Sequence, residues 1–443
     1  MTLSVAIVGA GPAGFYTAEA LLETAVTDVR IDMIERLPTP FGLIRAGVAP
    51  DHQSTKRVSR RFEQTALQET VRYYGNVEVG RDVTVDELLE RYDAVVLAHG
   101  SPADRRLGIP GEHLKGVHGS AGFVGWYNGH PDFRDLDPLI DSPTAVVIGN
   151  GNVALDVARV LVKTEREMAE SDLPDYAAQL IHPSPVADVH MVGRRGPVEA
   201  KFTNVELREM GRLEQAHPII DAALLPESVG ELEDDRDRRL KEKNLATLKE
   251  FTAMVGDERP KRVHFRFFLS PVEILGSERV EGVRFERTRY EGGRIIDTGE
   301  FEVIPCGLVV AAIGYRSEPM PGVPFDERQG LVPSNDGRVS PKLYAVGWAK
   351  RGPIGVISTN RTDGVACAEQ ILADFPGGVK PGRDAFEALL ARRRVRAITY
   401  DDWRTIEAAE VAAASGGAPR RKLTTLQEML AALETTRPNV PVG

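Results

Sequence analysis

Cysteine is nearly absent from this chain of 443 residues: only Cys306 and Cys367 occur, far apart and outside any C-x-x-C arrangement. That excludes a four-cysteine iron–sulfur cluster held by the chain itself and a thioredoxin-like redox pair, and it fits a reducing compartment. Positive charge is also in short supply, with 55 Lys and Arg against 65 Asp and Glu and a formal net charge of -10. Such a balance argues against general attraction to nucleic acid or to an anionic membrane surface, although a local basic patch is compatible with it. No apolar run is long enough for a membrane span, and an apolar strand pattern begins within a few residues of Met1. A cytoplasmic protein is the expectation. What the chain does have is an apolar content of 42%, enough for cores in two or three domains.

The most informative stretch is the first. Val5 to Val8 is an apolar run that passes through Gly9, Gly11 and Gly14 into a segment of helical period, Phe15 to Leu22. This reads as strand, tight turn and helix at dinucleotide-loop spacing. Gly9 makes the turn, Gly11 lets backbone approach a pyrophosphate, and Gly14 lets the helix pack on the strand. The next strand, Val29 to Ile34, ends in Glu35, whose carboxylate suits a ribose 2'-hydroxyl and repels a 2'-phosphate. FAD or NAD, not NADP, is the expectation at this site.

The pattern returns at Ala145 to Ile148, followed by Gly149, Asn150, Gly151, Asn152 and Val153, with Ala154 where the third glycine stood. Its following strand, Asp188 to Val192, ends in Gly193, Arg194 and Arg195. Arginine forks match phosphate, so this second site should prefer NADP.

Between these landmarks, prolines and glycines from Arg36 to Gln53 predict an ordered loop without regular helix. Helical spacing is expected over Ser54 to Arg72, a short strand over 76–79, a helix over Val85 to Arg91 and a buried strand over Ala94 to Ala98. The Gly- and Pro-rich stretch from Pro102 to Pro143 marks a crossing between domains. Residue chemistry alone leaves His52 between a cap or surface residue and a catalytic group. It leaves Glu206, in the first turn of a helix opened by Thr203 or Asn204, between a dipole partner and a functional acid. The charged segment 226–262 reads as a solvated helix whose basic cluster, Arg236 to Lys243, could also meet an acidic partner. Three alternating stretches, His264 to Leu269, Val280 to Tyr290 and Ile295 to Ile304, predict an antiparallel appendage. The apolar run Leu308 to Ile313 is expected to return to the first sheet.

Taken together, VAIVGAGPAGFYTA, PFGLIRAGVAPDH, NVEVGRDVTV, FVGWYNG, GNGNVALDVAR, VGRRGP, FTNVELREM, PCGLVVAAIGY and GWAKRGPIGVIST resemble the adrenodoxin reductase family of ferredoxin-NADP reductases. The resemblance covers residues 1 to about 375. It implies an α/β glutathione-reductase-like flavoprotein: two Rossmann-like three-layer dinucleotide-binding domains, with the NADP domain inserted into the FAD domain. The implied boundaries are an FAD domain at 1–104 and 306–376, an NADP domain at 105–305, and a C-terminal helical extension at 377–443. FAD would be held by Ala13, Glu35, Leu43, Val79, Trp348 and the turn Gly355, Val356, Ile357. NADP(H) would be held by Asn150 to Val153, Arg194, Arg195, Glu206 and Gly355. His52 and Glu206 fall at polar positions near the reacting rings; the expectation drawn from this is that they tune or relay the flavin proton and that Asp156 holds the nicotinamide helix in place.

The implied activity is hydride transfer from NADPH to FAD, then single electrons to a ferredoxin-type iron–sulfur protein that could supply a cytochrome P450, with no metal required. The alternative is a flavoprotein acting directly on a small molecule or oxygen. Dependence of cytochrome c reduction on added ferredoxin separates the two.

Overall fold

The computed structural model describes residues 2–25, 28–230, 233–254, 258–375 and 378–436, the side chains of 435 and 436 excepted. The expected boundary at 376 and 377 lies outside them. The chain forms two compact units, one comprising 1–103, 128–134 and 315–443, the other 104–127 and 135–314.

In the first unit, the strand Leu3–Val8 is central and every one of its residues is buried. It pairs in parallel with Val29–Ile34 on one side and Ala94–Leu97 on the other. Val71–Tyr74 extends the sheet beyond the former, and Leu343–Ala345 and Arg338–Ser340 extend it beyond the latter. Because Val8 is level with both Ile34 and Leu97, Gly9, Glu35 and Ala98 emerge together at the carboxyl edge. Strand order reverses here, the usual place for a nucleotide in such a sheet. The helix Pro12–Thr24 packs on this sheet through Phe15, Ala18 and Leu21, all fully buried, and Pro12 supplies the preset φ of a first helical position.

The second unit repeats the plan around Thr144–Ile148, which lies between Asp188–Val192 and Leu308–Ala311. Leu308–Ala311 therefore joins the second sheet, not the first, and the second unit runs to Gly314 instead of ending at 305. An unbroken apolar strand satisfies any buried position equally well, and the register that pairs Ala311 with Ile148 is set by long-range contacts.

The second sheet also takes Lys261–Arg266, parallel to Asp188–Val192 and Ala216–Ile220. Only Leu269–Leu275, Gly282–Glu291 and Arg294–Pro305 form the antiparallel sheet. Phe268, at φ 56, turns the chain between the two and ends what reads in sequence as one strand.

Other local expectations shift. The 54–72 stretch divides into Gln53–Lys56, Ser59–Ala66 and the strand Val71–Tyr74. Asn76, at φ 57, breaks the chain after that strand, so 76–79 forms no strand beyond a single bridge from Val79 to Val83. The Gly- and Pro-rich crossing carries a buried helix, Ser120–Tyr127.

The C-terminal helices Arg383–Arg393, Tyr400–Ala412 and Leu426–Thr436 are part of the first unit's cores. Trp403, Ile406, Met429 and Leu433 share one buried cluster with Leu3, Phe15, Phe41 and Phe62. Phe386 and Leu389 share another with Val85, Leu88 and Tyr92.

Candidate functional site

At the first loop each glycine has a distinct reason. A Cβ on Gly9, at φ 108, would stand 2.5 Å from the carbonyl oxygen of Ala98. One on Gly14 would collide with the carbonyl oxygen of Gly9. Gly11 is different, since a Cβ there would meet only the Cα of Gly42, at 3.9 Å. Gly9 and Gly14 are thus required by the fold, while Gly11 leaves backbone open at a helix N-terminus, the geometry that receives a pyrophosphate. Ala13, on the first turn, is covered by Gly347, where a Cβ would lie 2.5 Å from that of Ala13.

Glu35 closes this arrangement. Its Oε2 accepts from the N–H of Ala10 at 2.9 Å and its Oε1 from the N–H of Leu37 at 3.2 Å. Burial pushes the carboxyl up, and those two N–H groups oppose the shift. Leu43 lies in a single helical turn, Leu43–Ala46, with 40% of its surface exposed. The residue two before it, Phe41, donates its N–H to the carbonyl of Ala10 at 2.7 Å, so the Pro- and Gly-rich loop rests on the glycine loop. Val79 is half-buried, two residues beyond Val77, whose N–H donates to the carbonyl of Glu35 at 3.0 Å.

Trp348 opens the short helix Trp348–Arg351, its ring 5.8 Å from that of Tyr315. Gly355 (φ 90), Val356 and Ile357 form a loop, and the next helix begins at Thr359. Asn360 ties that loop back by donating to the carbonyl of Ile357 at 2.9 Å, and Val356 is 54% exposed. Gly355, expected at both nucleotides, belongs to the first unit. His52 stands at the head of Gln53–Lys56, and its side chain makes no cap hydrogen bond.

In the second unit, a Cβ on Gly149 would collide with the carbonyl of Ala312, whereas one on Gly151 would meet nothing within 4 Å. The loop after the strand-end arginines seats on this turn. The N–H of Lys201 donates to the carbonyl of Asn150 and that of Thr203 to Oδ1 of Asn152, both at 2.8 Å. Val153 follows on the first turn of the helix Asn152–Val162, half-buried. The Asn150 Oδ1 is buried without a hydrogen-bond partner among the described residues. Arg194 is exposed and Arg195 half-buried. Among the described residues neither forms an ion pair, and the Arg195 guanidinium lies 5.6 Å from the centre of the Tyr290 ring. Two cations without carboxylates at a strand end, beside an open glycine, suit an anionic ligand.

Behind the turn lies a group that sequence reading missed. Arg159 has no exposed side-chain surface, and its Nη2 is 2.8 Å from Oδ1 of Asp156, one turn earlier. Its Nη1 is 3.6 Å from Oε2 of Glu206 and 3.4 Å from Oε2 of Glu209. The structure therefore brings Asp156 and Glu206 to one guanidinium. The signal was present as D-x-x-R on a helix whose other inward positions are apolar.

A family model described as pyridine nucleotide-disulphide oxidoreductase matches residues 3–210. The mitochondrial NADPH:adrenodoxin oxidoreductase of Homo sapiens is 45% identical over 452 aligned positions, covering 97% of this chain and 91% of that protein. The chain belongs to the adrenodoxin reductase family. A second member of the family, the NADPH-ferredoxin reductase FprA of Mycobacterium tuberculosis, is 42% identical, covering 96% of this chain and 98% of its own. The solved structure of that FprA in complex with NADPH aligns with a TM-score of 0.93 at 40% identity, covering 98% of this chain and all of that one. The adrenodoxin reductase family thus accounts for the C-terminal helices as well as both glycine loops, since the likeness runs through them.

Proposed function

We propose that this chain is an NADPH-dependent flavoprotein that transfers hydride from NADPH to FAD and then passes single electrons to a ferredoxin-type iron–sulfur protein. The observation that carries this reading is the pair of glycine loops in one chain, one ended by Glu35 and the other by Arg194 and Arg195. It is supported by likeness along nearly the whole length to reductases named for NADPH and for adrenodoxin or ferredoxin.

The residues present fit both nucleotides. Gly11 and Gly151 each leave backbone open where a Cβ would stand, and the orphaned Oδ1 of Asn150 calls for a donor that the described residues do not provide. Bound FAD supplies a centre that takes up electrons in a pair and releases them one at a time. The chain has no substitute for it: Cys306 and Cys367 are buried, and burial pushes each thiol up to about 12.

The remaining work is positioning, exclusion of water and handling of one proton. We assign the FAD contacts to Ala13, Glu35, Leu43, Val79, Trp348 and the loop Gly355 to Ile357. The NADP(H) contacts are assigned to Asn150 to Val153, Arg194 and Arg195, the two guanidiniums reading the 2'-phosphate. His52, through its imidazole, and Glu206, through its carboxylate, serve the proton, with Asp156 holding the nicotinamide helix. A cytochrome P450 fits as a terminal acceptor, and the absence of a helix long and apolar enough to cross a membrane, among the described residues, is compatible with a cytoplasmic site.

An anaerobic titration with NADPH should bleach the flavin absorbance, and cytochrome c reduction should require added ferredoxin. Failure to bleach removes the reductase reading, and ferredoxin-independent turnover at full rate removes the carrier.

A further inference from the structure

The single turn Leu43–Ala46 is too short to hold itself, and the loop leading into it rests on the first glycine loop. Phe41 N–H donates to the Ala10 carbonyl at 2.7 Å, and a Cβ on Gly42, at φ 49, would stand 3.2 Å from the Cα of Gly11. What holds this loop from the other side comes from more than 350 residues away in sequence.

Glu410, in the helix Tyr400–Ala412, has no exposed side-chain surface and takes both arms of the Arg45 guanidinium, Nη1 at 2.9 Å and Nη2 at the other oxygen. The same carboxylate accepts from the N–H of Leu423 at 2.9 Å and from Arg420 at 3.4 Å. Trp403, two turns earlier on the same face of that helix, lies 5.2 Å from the Arg45 guanidinium and edge-on to Phe41 at 6.1 Å. Lys422, nearly fully buried, donates to the carbonyls of Arg45 at 3.0 Å and Asn128 at 2.9 Å.

A buried ion network is a costly way to gain stability, and apolar packing holds two elements together more cheaply. What a two-armed guanidinium–carboxylate pair adds is a fixed orientation of one backbone segment against another. Here the oriented segment is the one lying on Ala10 and Gly11.

We propose that residues 400–423 form a strap, with Glu410 as its positioning residue, that holds the loop Phe41–Arg45 against the first glycine loop and thereby sets how firmly the flavin nucleotide is retained. The proposal rests on the reading that FAD occupies that loop. Glu410 touches no nucleotide in this scheme. It acts through Arg45, so its loss should alter the release of FAD and leave NADPH selectivity, set in the other unit, unchanged.

The test uses full-length holoprotein carrying Glu410→Gln, with FAD release followed by the rise in flavin fluorescence on dilution and amide hydrogen exchange followed over residues 42–48. The expected result is release faster by about tenfold or more, with faster exchange in 42–48, partial rescue by Glu410→Asp, and no change in Glu407→Gln, whose half-buried carboxylate pairs with Arg420. Release within twofold of the parent by a folded Glu410→Gln protein overturns the strap. Should that variant not fold, Lys422→Met, which cuts the carbonyl ties and spares the ion pair, reads the same rate with the same two outcomes. Gly11→Val separates the strap from its premise. Loss of FAD by Gly11→Val with retention by Glu410→Gln refutes the strap alone, and undiminished FAD in Gly11→Val refutes the placement of FAD on which it rests.

Discussion

Arg159 and Asp156, one turn apart on the helix that follows the second glycine loop, form a 2.8 Å ion pair in which the arginine is entirely enclosed. The same cation faces Glu206 and Glu209, so one positive charge holds three acids from two helices. Replacing it by Met keeps the volume and deletes the charge. Removing one member of a buried pair costs about 3–5 kcal/mol when the remaining charge is enclosed. Because these carboxylates keep 16% to 34% of their surface exposed, the lower end, about 3 kcal/mol, is expected for Arg159→Met in a denaturant titration. The hydride step in stopped flow should slow with little change in NADPH affinity. A hydride rate equal to the parent's would mean that the orientation of Glu206 is immaterial to the reaction.

The arginines after the Asp188–Val192 strand give a cleaner test, since each is without a carboxylate partner among the described residues. Charge-assisted hydrogen bonds contribute about 1.5–3 kcal/mol each, which corresponds to roughly ten- to a hundredfold in affinity. Arg194→Ala and Arg195→Ala should therefore raise the dissociation constant of NADPH by about that factor and leave that of NADH nearly unchanged. The comparison of the two nucleotides by fluorescence titration decides it, and an unaltered preference for NADPH would show that the 2'-phosphate is read elsewhere.

The glycines of the second loop should separate folding from binding. At Gly149 an added methyl strikes the Ala312 carbonyl, in backbone that cannot move without shifting a central strand. Gly149→Ala is expected to yield little folded protein. At Gly151 the same methyl meets no protein atom, so Gly151→Ala should melt within a degree or two of the parent while binding NADPH at least about tenfold more weakly, since it occupies space where the backbone must approach a pyrophosphate. Equal NADPH affinity in Gly151→Ala would place the nucleotide away from this turn.

What could be read in advance was local. The two glycine loops, the strands before them and the strand ends at Glu35 and Arg194 are patterns of about thirty contiguous residues whose physics is short-range. The sheet chosen by Leu308–Ala311 was not legible, because its apolar run carries no alternation to say which neighbours it has. Nor was the turn at Phe268, a bulky residue held at φ 56 that no propensity scale favours there. The corner around Arg159 reaches across to Glu206 and Glu209 on another helix, and the grip of Glu410 on Arg45 spans 365 residues. In the sequence, charged residues on helices read as solvated, so a fully enclosed acid such as Glu410 was indistinguishable from its surface neighbours.

Buried histidines should make the stability of the protein sensitive to mild acid. Burial lowers His99, His118, His130 and His190 from 6.5 to about 4. A histidine whose folded value is depressed stays neutral in the native state where the unfolded chain is already protonated. Its contribution is therefore complete above about 6.5 and is lost progressively as pH falls toward 4, at up to about 1.4 kcal/mol per pH unit for each group. Glu410 adds to the same trend at lower pH. Burial, the largest influence on its carboxyl, would raise it, but Arg45 brings it below the ordinary glutamate value, so its contribution is lost only as pH falls through that lowered value. The melting temperature should hold between pH 8 and 7 and fall steeply between 6 and 5. His130 isolates one part of this, because its ring nitrogen accepts from the N–H of Asp132 at 3.2 Å and caps the short turn Pro131–Phe133. Asparagine is a good cap that does not titrate, so His130→Asn should match the parent at pH 7.5 and melt above it at pH 5. Equal melting temperatures at pH 5 would show that His130 takes no share in the acid sensitivity.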